Sequence, residues 1–384
     1  MALVVQKYGG TSVEGRDRIM RVAERVAELR SRGDDVVVVV SAQGRTTDSL
    51  LREARSITSE PAQRELDMLV TAGERISMSL LSIALNSLGC RAISFTGSQV
   101  GIITDTRHTD ARILEVRPQR LVRELERGAV VVVGGFQGVS TEKEVTTLGR
   151  GGSDTTAVAL AAALGAERCE ILTDVDGVHT ADPRVVAGAE KVDELAYCDM
   201  AELARYGATV LKEEAVRLAE REGIALHVGD ASRATPGTIV LERPLSSERP
   251  VVAISLLEGV SLLRAGGADE GLEGLTCHGD ALRFVAASGG SVSVAVESDG
   301  LPGSLPASLV CAVGPGAGGG ATLASFARVS SEEVCPLLAV ASTARSTVAA
   351  VERGRSRDFL RRLHEQLFRD GSGQTSASTR SPRM

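Results

Sequence analysis

Five consecutive valines at positions 36–40, preceded by Asp34-Asp35 and followed by Ser41, constrain the fold more than any other feature of the chain. β-branched side chains favour extended backbone. A run with no polar alternation offers no face to water, so it belongs in the middle of a sheet covered on both sides. Such a sheet is parallel and sandwiched by helices. Related Val/Ile-dominated runs recur at 3–5, 93–95, 130–133, 170–172 and 224–228. Between them lie helical patterns: Ile19, Val22, Val26 and Leu29, then Ile76, Leu80, Ile83 and Leu88, then an alanine-rich stretch at 155–164 that reads as a buried helix. This alternation implies a layered α/β domain.

The texture changes at the proline-bounded connector 242–250, ERPLSSERP. Beyond it, β-like segments at 259–263, 281–286, 291–296, 309–313, 337–340 and 347–351 alternate with Gly/Ala/Ser-rich links, and an amphipathic helix follows at 356–368. The expected organisation is an α/β domain at 1–243, a smaller α+β domain at 250–369, and a disordered tail at 370–384 with no apolar anchor.

Composition excludes several classes. The 384 residues carry 43 Lys+Arg against 50 Asp+Glu, a net charge of −7, with six Phe, three Tyr and no Trp. A net acidic chain with no basic run and few aromatics has neither the electrostatic footprint nor the stacking platform for nucleic acid. No uninterrupted apolar stretch approaches the roughly 18–20 residues that span a bilayer, so no membrane partner is expected. The N-terminus lacks a signal peptide's cleavage pattern. Cys90, Cys169, Cys198, Cys277, Cys311 and Cys335 are scattered singly, without CxxC or zinc spacing. Free thiols, no protein-held metal and a cytoplasmic location are the expectation.

Four stretches carry chemistry. Lys7 with Gly9-Gly10-Thr11-Ser12 lies between a strand and a helix. There, consecutive glycines let backbone N–H groups converge on an oxyanion, the helix dipole assists, and a lysine supplies a point charge. No Walker A pattern is present. The second stretch, Ser41 to Asp48 (SAQGRTTD), sits at a strand's carboxyl end, where open α/β sheets bind ligands. Its Thr47-Asp48 equally suits a helix cap. The third, TTLGRGGSDTT, places Arg150 in a glycine turn beside Gly151, Ser153 and Asp154, an arrangement able to clamp a carboxylate. The fourth, LTDVDGVHTADPR, holds Asp174 and Asp176 after a strand; taken alone it reads as a plain turn.

In order, KYGGTS, SAQGRTTD, TAGERIS, FQGVSTEKEVTTLGRGGSDTTAVALAAALGA and TDVDGVHTADPRV resemble the amino acid kinase family, and within it the aspartokinases, over most of residues 3–240. The resemblance implies a mainly parallel sheet sandwiched by helices and ATP-dependent phosphorylation of the L-aspartate β-carboxylate to 4-phospho-L-aspartate, with Mg²⁺ carried mostly by the phosphates. Lys7 matches the catalytic lysine, and Asp154 the acidic residue that orients it. Gly9, Gly10 and Ser12 match the phosphate loop. Ser41, Thr47, Glu74, Arg150, Gly151 and Ser153 match the aspartate site, Glu74 for the ammonium and Arg150 for a carboxylate. Thr173, Asp174, His179 and Arg184 match the nucleotide site.

Two departures bear on the nucleotide. Thr209 replaces a nucleotide-contacting lysine of the family's GAKVLHPR, and the following His-Pro-Arg is lost. His179 stands where a tyrosine near the adenine is usual. Lys212, nearby, either substitutes for the missing lysine or is a solvated residue starting a helix. The last third resembles a worn pair of ACT domains, which in the family bind end-product amino acids and form homodimers. Gly/Ala clusters at 265–268 and 314–320 stand where effector loops and helices are expected, and the latter is read as a flexible loop. Feedback control by lysine or threonine is therefore expected to be weakened. The alternatives are a kinase for an aspartate-like amino acid in a specialised pathway, or a non-catalytic amino-acid-binding subunit.

Overall fold

The computed structural model describes residues 2–233, 236–244, 249–265, 281–288, 291–298, 300–332 and 335–368. Two compact units emerge. The first comprises residues up to Val178, Val192–Ala201 and Thr209–Ser246, and the second His179–Lys191, Glu202–Ala208 and the chain from Ser247. Cys277, the glycines at 266–267 and the expected tail at 370–384 lie outside the described residues.

In the first unit, β1 (Leu3–Tyr8), α1 (Arg16–Ser31), β2 (Asp35–Val40), α2 (Thr46–Ile57), α3 (Gln63–Ser87) and β3 (Ala92–Phe95) lead into β4 (Ile102–Thr104) and β5 (Ile113–Val116). There follow α4 (Gln119–Glu126), β6 (Val130–Gly134), β7 (Gln137–Ser140), β8 (Val145–Thr147), α5 (Gly152–Leu164), β9 (Arg168–Thr173), β10 (Glu194–Ala196) and α6 (Tyr197–Arg205), whose last turn groups with the second unit. α7 (Glu213–Glu222), β11 (Leu226–Asp230) and β12 (Thr238–Leu241) complete it. The main sheet has the order β10-β12-β11-β9-β1-β2-β6-β3, with only the β11–β12 pair antiparallel. A four-stranded sheet, β5-β4-β7-β8, lies beside it in the chain order between β3 and α5.

The valine run is central, as its texture requires. Val36 to Val40 are each 0% exposed, with β1 on one side and β6 on the other. Val36, Val38 and Val40 pack with Tyr8 against Ile19, Val22 and Val26 of α1 and Met78, Leu81 and Leu85 of α3. Side chains alternate across a strand, so Lys7, next to Tyr8, projects to the opposite face. α5 covers that face and meets Lys7 there.

α3 departs from the sequence expectation in one respect. The stripe Ile76, Leu80, Ile83 and Leu88 is 52%, 41%, 65% and 42% exposed. The buried face instead carries Asp67, Val70, Gly73, Glu74, Ser77, Met78, Leu81 and Leu85. α3 is long and apolar enough to cross a membrane by length and composition, but more than half of its most apolar window is buried inside the protein. It reads as a core helix whose inner face is partly polar for a reason. Asp67 accepts a hydrogen bond from Thr147 Oγ1 at 2.5 Å and from Thr109 N at 3.1 Å, and pairs with His108 Nδ1 at 2.6 Å. It ties α3 to the strand that leads into the Arg150 turn. Asp67→Ala strands three buried or half-buried partners, so global stability should fall by about 3–5 kcal/mol in a chemical denaturation experiment, and by less for Asp67→Asn.

The second unit is built on a six-stranded antiparallel sheet. Its strands are β13 (Ala253–Ala265), β14 (Leu282–Ser288), β15 (Ser291–Val296), β16 (Leu305–Val313), β17 (Leu337–Ser342) and β18 (Ser346–Glu352), in the order β14-β15-β13-β16-β18-β17. Two helices, α8 (Gly320–Ser331) and α9 (Ser356–Phe368), bury Phe326, Val329, Phe359, Leu360 and Leu363 in a common core with Val310, Ala312, Ala349 and Val351. The glycine cluster at 314–320 corrects the expectation of a flexible loop. Its backbone is tied by Gly316 N to Pro250 O at 2.7 Å and by Gly319 N to Gly316 O at 3.0 Å, and it leads directly into α8.

Candidate active site

The site forms at the carboxyl ends of β1 and β2, where the chain order reverses around β1 and crevices in open parallel sheets lie. Gly9 and Gly10 carry the chain from β1 towards α1. Gly44 N donates to Gly10 O at 3.0 Å, and Gly9 N donates to Leu172 O at 3.2 Å. A methyl group on Gly10 would lie 2.4 Å from Ala42 O, so only glycine allows the two loops to close on one another.

Lys7 Nζ stands 2.7 Å from Asp154 Oδ1, with side chains 13% and 8% exposed. Asp154 lies in the first turn of α5, whose cap is Gly151 in the left-handed conformation, with no side-chain capping bond. Neither Ser153 nor Asp154 caps the helix; both are free for the site. Ser153 Oγ and Ser41 Oγ are 3.0 Å apart, joining the α5 start to the β2 loop. Next to Ser41, Ala42 N donates to Glu74 Oε1 at 3.1 Å. Contact by contact, the fold brings together Lys7, Gly9, Gly10, Ser41, Glu74, Ser153 and Asp154.

Glu74 is 3% exposed, and its Oε2 has no hydrogen-bond partner among the described residues. Burial raises its pKa to about 7 against the modest opposing effect of the Ala42 N–H. A buried carboxylate with one oxygen unsatisfied is costly unless a cationic ligand meets it. Arg150, at the tip of the Gly149–Gly151 turn, is exposed and has no ion pair among the described residues. Thr47 is half-buried in the first turn of α2, not its cap; Arg45 holds that position.

Ser12, Thr173 and Asp174 share the wall of a cavity of about 410 Å³ with Thr11, Arg18 and Arg21. Thr173 Oγ1 donates to Asp174 Oδ1 at 3.0 Å. His179 and Arg184 fall in the segment that groups with the second unit. There Arg184 grips Asp182 through Nε and Nη2 at 3.0 and 2.8 Å, which holds the Asp182 carboxyl below its usual range. Three residues beside these loops were not singled out by the sequence. Ala42 acts through its backbone N–H, which no side-chain pattern reveals. Gln43 and Gln137 each hold a buried amide nitrogen with no partner among the described residues. Both lie inside motifs already singled out, SAQG and FQGVS, yet glutamine carries no charge to flag it.

A sequence profile described as "Amino acid kinase family" matches residues 2–230. The aspartokinase of Mycobacterium tuberculosis is 57% identical over 242 residues, 63% of this chain and 58% of that protein. This chain thus spans rather less than two thirds of the length of such curated relatives. Among solved structures, E. coli aspartokinase III in complex with aspartate and ADP aligns with a TM-score of 0.82 at 25% identity, covering 95% of this chain and all of that one. Aspartate kinase from Synechocystis aligns with a TM-score of 0.59 at 31% identity, covering all of this chain and 71% of that one.

Proposed function

The chain belongs to the amino acid kinase family, and on that premise we propose that it transfers the γ-phosphoryl group of ATP to the β-carboxylate of L-aspartate, giving 4-phospho-L-aspartate. The acceptor is already an anion at neutral pH, so no general base is required. Catalysis reduces to holding two negative reactants in line and neutralising the transferring group. Lys7 supplies the positive charge at that group, held in place by Asp154. The Gly9-Gly10-Thr11-Ser12 turn receives the phosphates, its shape fixed by the Gly9 N–H on Leu172 O and the Ser12 N–H on Gly9 O, with the Ser12 hydroxyl as donor. Glu74 pairs the substrate ammonium and Arg150 its α-carboxylate, whose planar geometry suits the guanidinium fork. Ser41, Thr47, Gly151 and Ser153 complete that subsite. Thr173 and Asp174 line the nucleotide's cavity, and His179 and Arg184 are assigned to the nucleotide by family resemblance. Mg²⁺ enters as the metal complex of the triphosphate, a substrate rather than a resident ion.

The observation that carries this reading is the Lys7–Asp154 pair at 2.7 Å, at the end of β1 beside the glycine turn. Incubation with ATP, Mg²⁺ and L-aspartate, with hydroxylamine to trap acyl phosphate, tests it. No trapped hydroxamate with aspartate would overturn the assignment, whereas hydroxamate from a close analogue alone would redirect it to that amino acid.

A pH profile tests the Glu74 role separately. With its carboxyl at about 7 in the free protein, lowering the pH neutralises the partner of the substrate ammonium. The KM for aspartate should then rise about tenfold per unit below pH 7, while kcat at saturating aspartate changes little. The same slope in Glu74→Gln would assign the titration to another group.

The second unit is read as a shortened ACT-type pair that supports a cytoplasmic homodimer with weakened feedback. Inhibition titrations with lysine and threonine decide that point: half-inhibition of the full chain at submillimolar concentration by either would contradict it.

A further inference from the structure

Lys212 was left open by the sequence, and its surroundings point to a role. It caps α7 in extended conformation (φ −91°, ψ 139°), so its side chain leaves the helix start and does not lie along the helix face. The stem runs over Gly151. A methyl group on Gly151 would lie 1.9 Å from Lys212 Cγ, 2.8 Å from Cδ and 2.9 Å from Cε. Three successive methylenes therefore rest on the residue that caps α5. The ammonium, one bond beyond Cε, ends beside the turn that carries Arg150 and opens on Ser153 and Asp154. Gly151 has φ +81°, and the absence of a side chain there is what admits the lysine.

The charge balance of the site leaves a place for it. Lys7 is compensated by Asp154 at 2.7 Å. Position 209 is an exposed threonine and brings no charge. Arg150 is assigned to the α-carboxylate of the amino acid in the reading above. In the wall of the nucleotide cavity Arg18 lies 3.5 Å from Glu14 and Arg21 is exposed; a triphosphate approaching an acidic co-substrate calls for a further cation on the side of α5. Lys212 has no ion pair among the described residues, and its neighbour Glu213 is engaged with Arg217 at 2.7 Å. A compact ammonium at a helix N-terminus suits a phosphate group.

We infer that Lys212 binds the polyphosphate of the nucleotide across the start of α5, supplying the cation that Thr209 does not. This rests on the kinase reading above. The test is calorimetry on the full chain with ATP, ADP and AMP, comparing the unmodified protein with Lys212→Met and Lys212→Arg. Methionine keeps the stem on Gly151 and removes only the charge. The expected result is a Kd for ATP and ADP raised about tenfold or more in Lys212→Met. AMP should be affected least, the aspartate KM should stay within about twofold, the melting temperature should be unchanged, and Lys212→Arg should recover most of the affinity. Unchanged ATP and ADP affinities in Lys212→Met, or a loss falling on aspartate instead, would overturn the inference while leaving the kinase reading intact. Failure of the unmodified protein to bind ATP would overturn both.

Discussion

Lys7→Met is expected to lower kcat by about a thousandfold, the scale found when a preorganised group that stabilises developing charge is removed. The substitution deletes the cation at the transferring phosphoryl group and keeps most of the side chain's volume. It also leaves Asp154, 8% exposed, without the partner that stood 2.7 Å away. That stranded carboxylate confuses a simple reading of the result, because an unpaired buried charge destabilises the fold by itself. The double variant Lys7→Met/Asp154→Asn separates the two effects. Its melting temperature should return towards that of the unmodified protein, while its kcat stays at the level of the single variant. Recovery of kcat in the double variant would show that Lys7 acts through the fold and not at the reacting group. Steady-state kinetics with thermal unfolding on the same samples reads both quantities.

Glu74→Gln should act in opposite directions on affinity and on stability. The carboxylate is 3% exposed, with one oxygen held by Ala42 N and the other without a partner. Removing its charge should raise the KM for aspartate about a hundredfold, as expected for a buried charge-assisted contact. The ligand-free protein should become more stable. A carboxyl whose folded pKa, about 7, lies above its ordinary value of 4.5 opposes folding. That penalty is absent below about pH 4.5, grows as the pH rises, and is complete above about pH 7. The gap corresponds to a ceiling of about 3 kcal/mol, reduced in practice because the glutamine amide inherits an unsatisfied position. The melting temperature of Glu74→Gln should thus exceed that of the unmodified protein at pH 8, with the difference vanishing near pH 4.5. Saturating aspartate should shrink the difference at pH 8, since the substrate ammonium relieves the same penalty only in the unmodified protein. Equal melting temperatures at both pH values would show that Glu74 is not held unpaired for a ligand.

Much of the fold was legible where one residue type dominates a short segment. The valines of β2 and β6 announced buried parallel strands, and β15 and α9 begin and end where their patterns do. α3 was legible as a helix but misleading in orientation. Its inner face is occupied by Asp67, Gly73, Glu74 and Ser77, small or polar residues that serve the site, while Ile76 and Ile83 face outward. Hydropathy ranks residues by their preference for water and is blind to a face that is polar by purpose. α8 was missed because it opens on Gly320 after a glycine-rich turn, and nothing in such a start distinguishes an ordered turn from a slack one.

The sequence by itself determined the elements and the chemical cast: a covered valine strand, a glycine turn with a lysine before it, an arginine in a second glycine turn, and a glutamate in a long helix. Alternation along β1 is a local property of the strand, and it sets Lys7 and Tyr8 on opposite faces. Only the tertiary structure decided which of these groups meet. Asp154 could have been a helix cap, and packing of α5 across β1 made it the partner of Lys7. Glu74 could have been an exposed helical glutamate, and burial beside Ala42 shifted its proton affinity. Lys212 could have been a solvated lysine, and the missing side chain at Gly151 laid it over the start of α5. Periodicity depends on backbone geometry over a few residues, whereas a distance between two charges, and the medium between them, depends on which distant segments pack together.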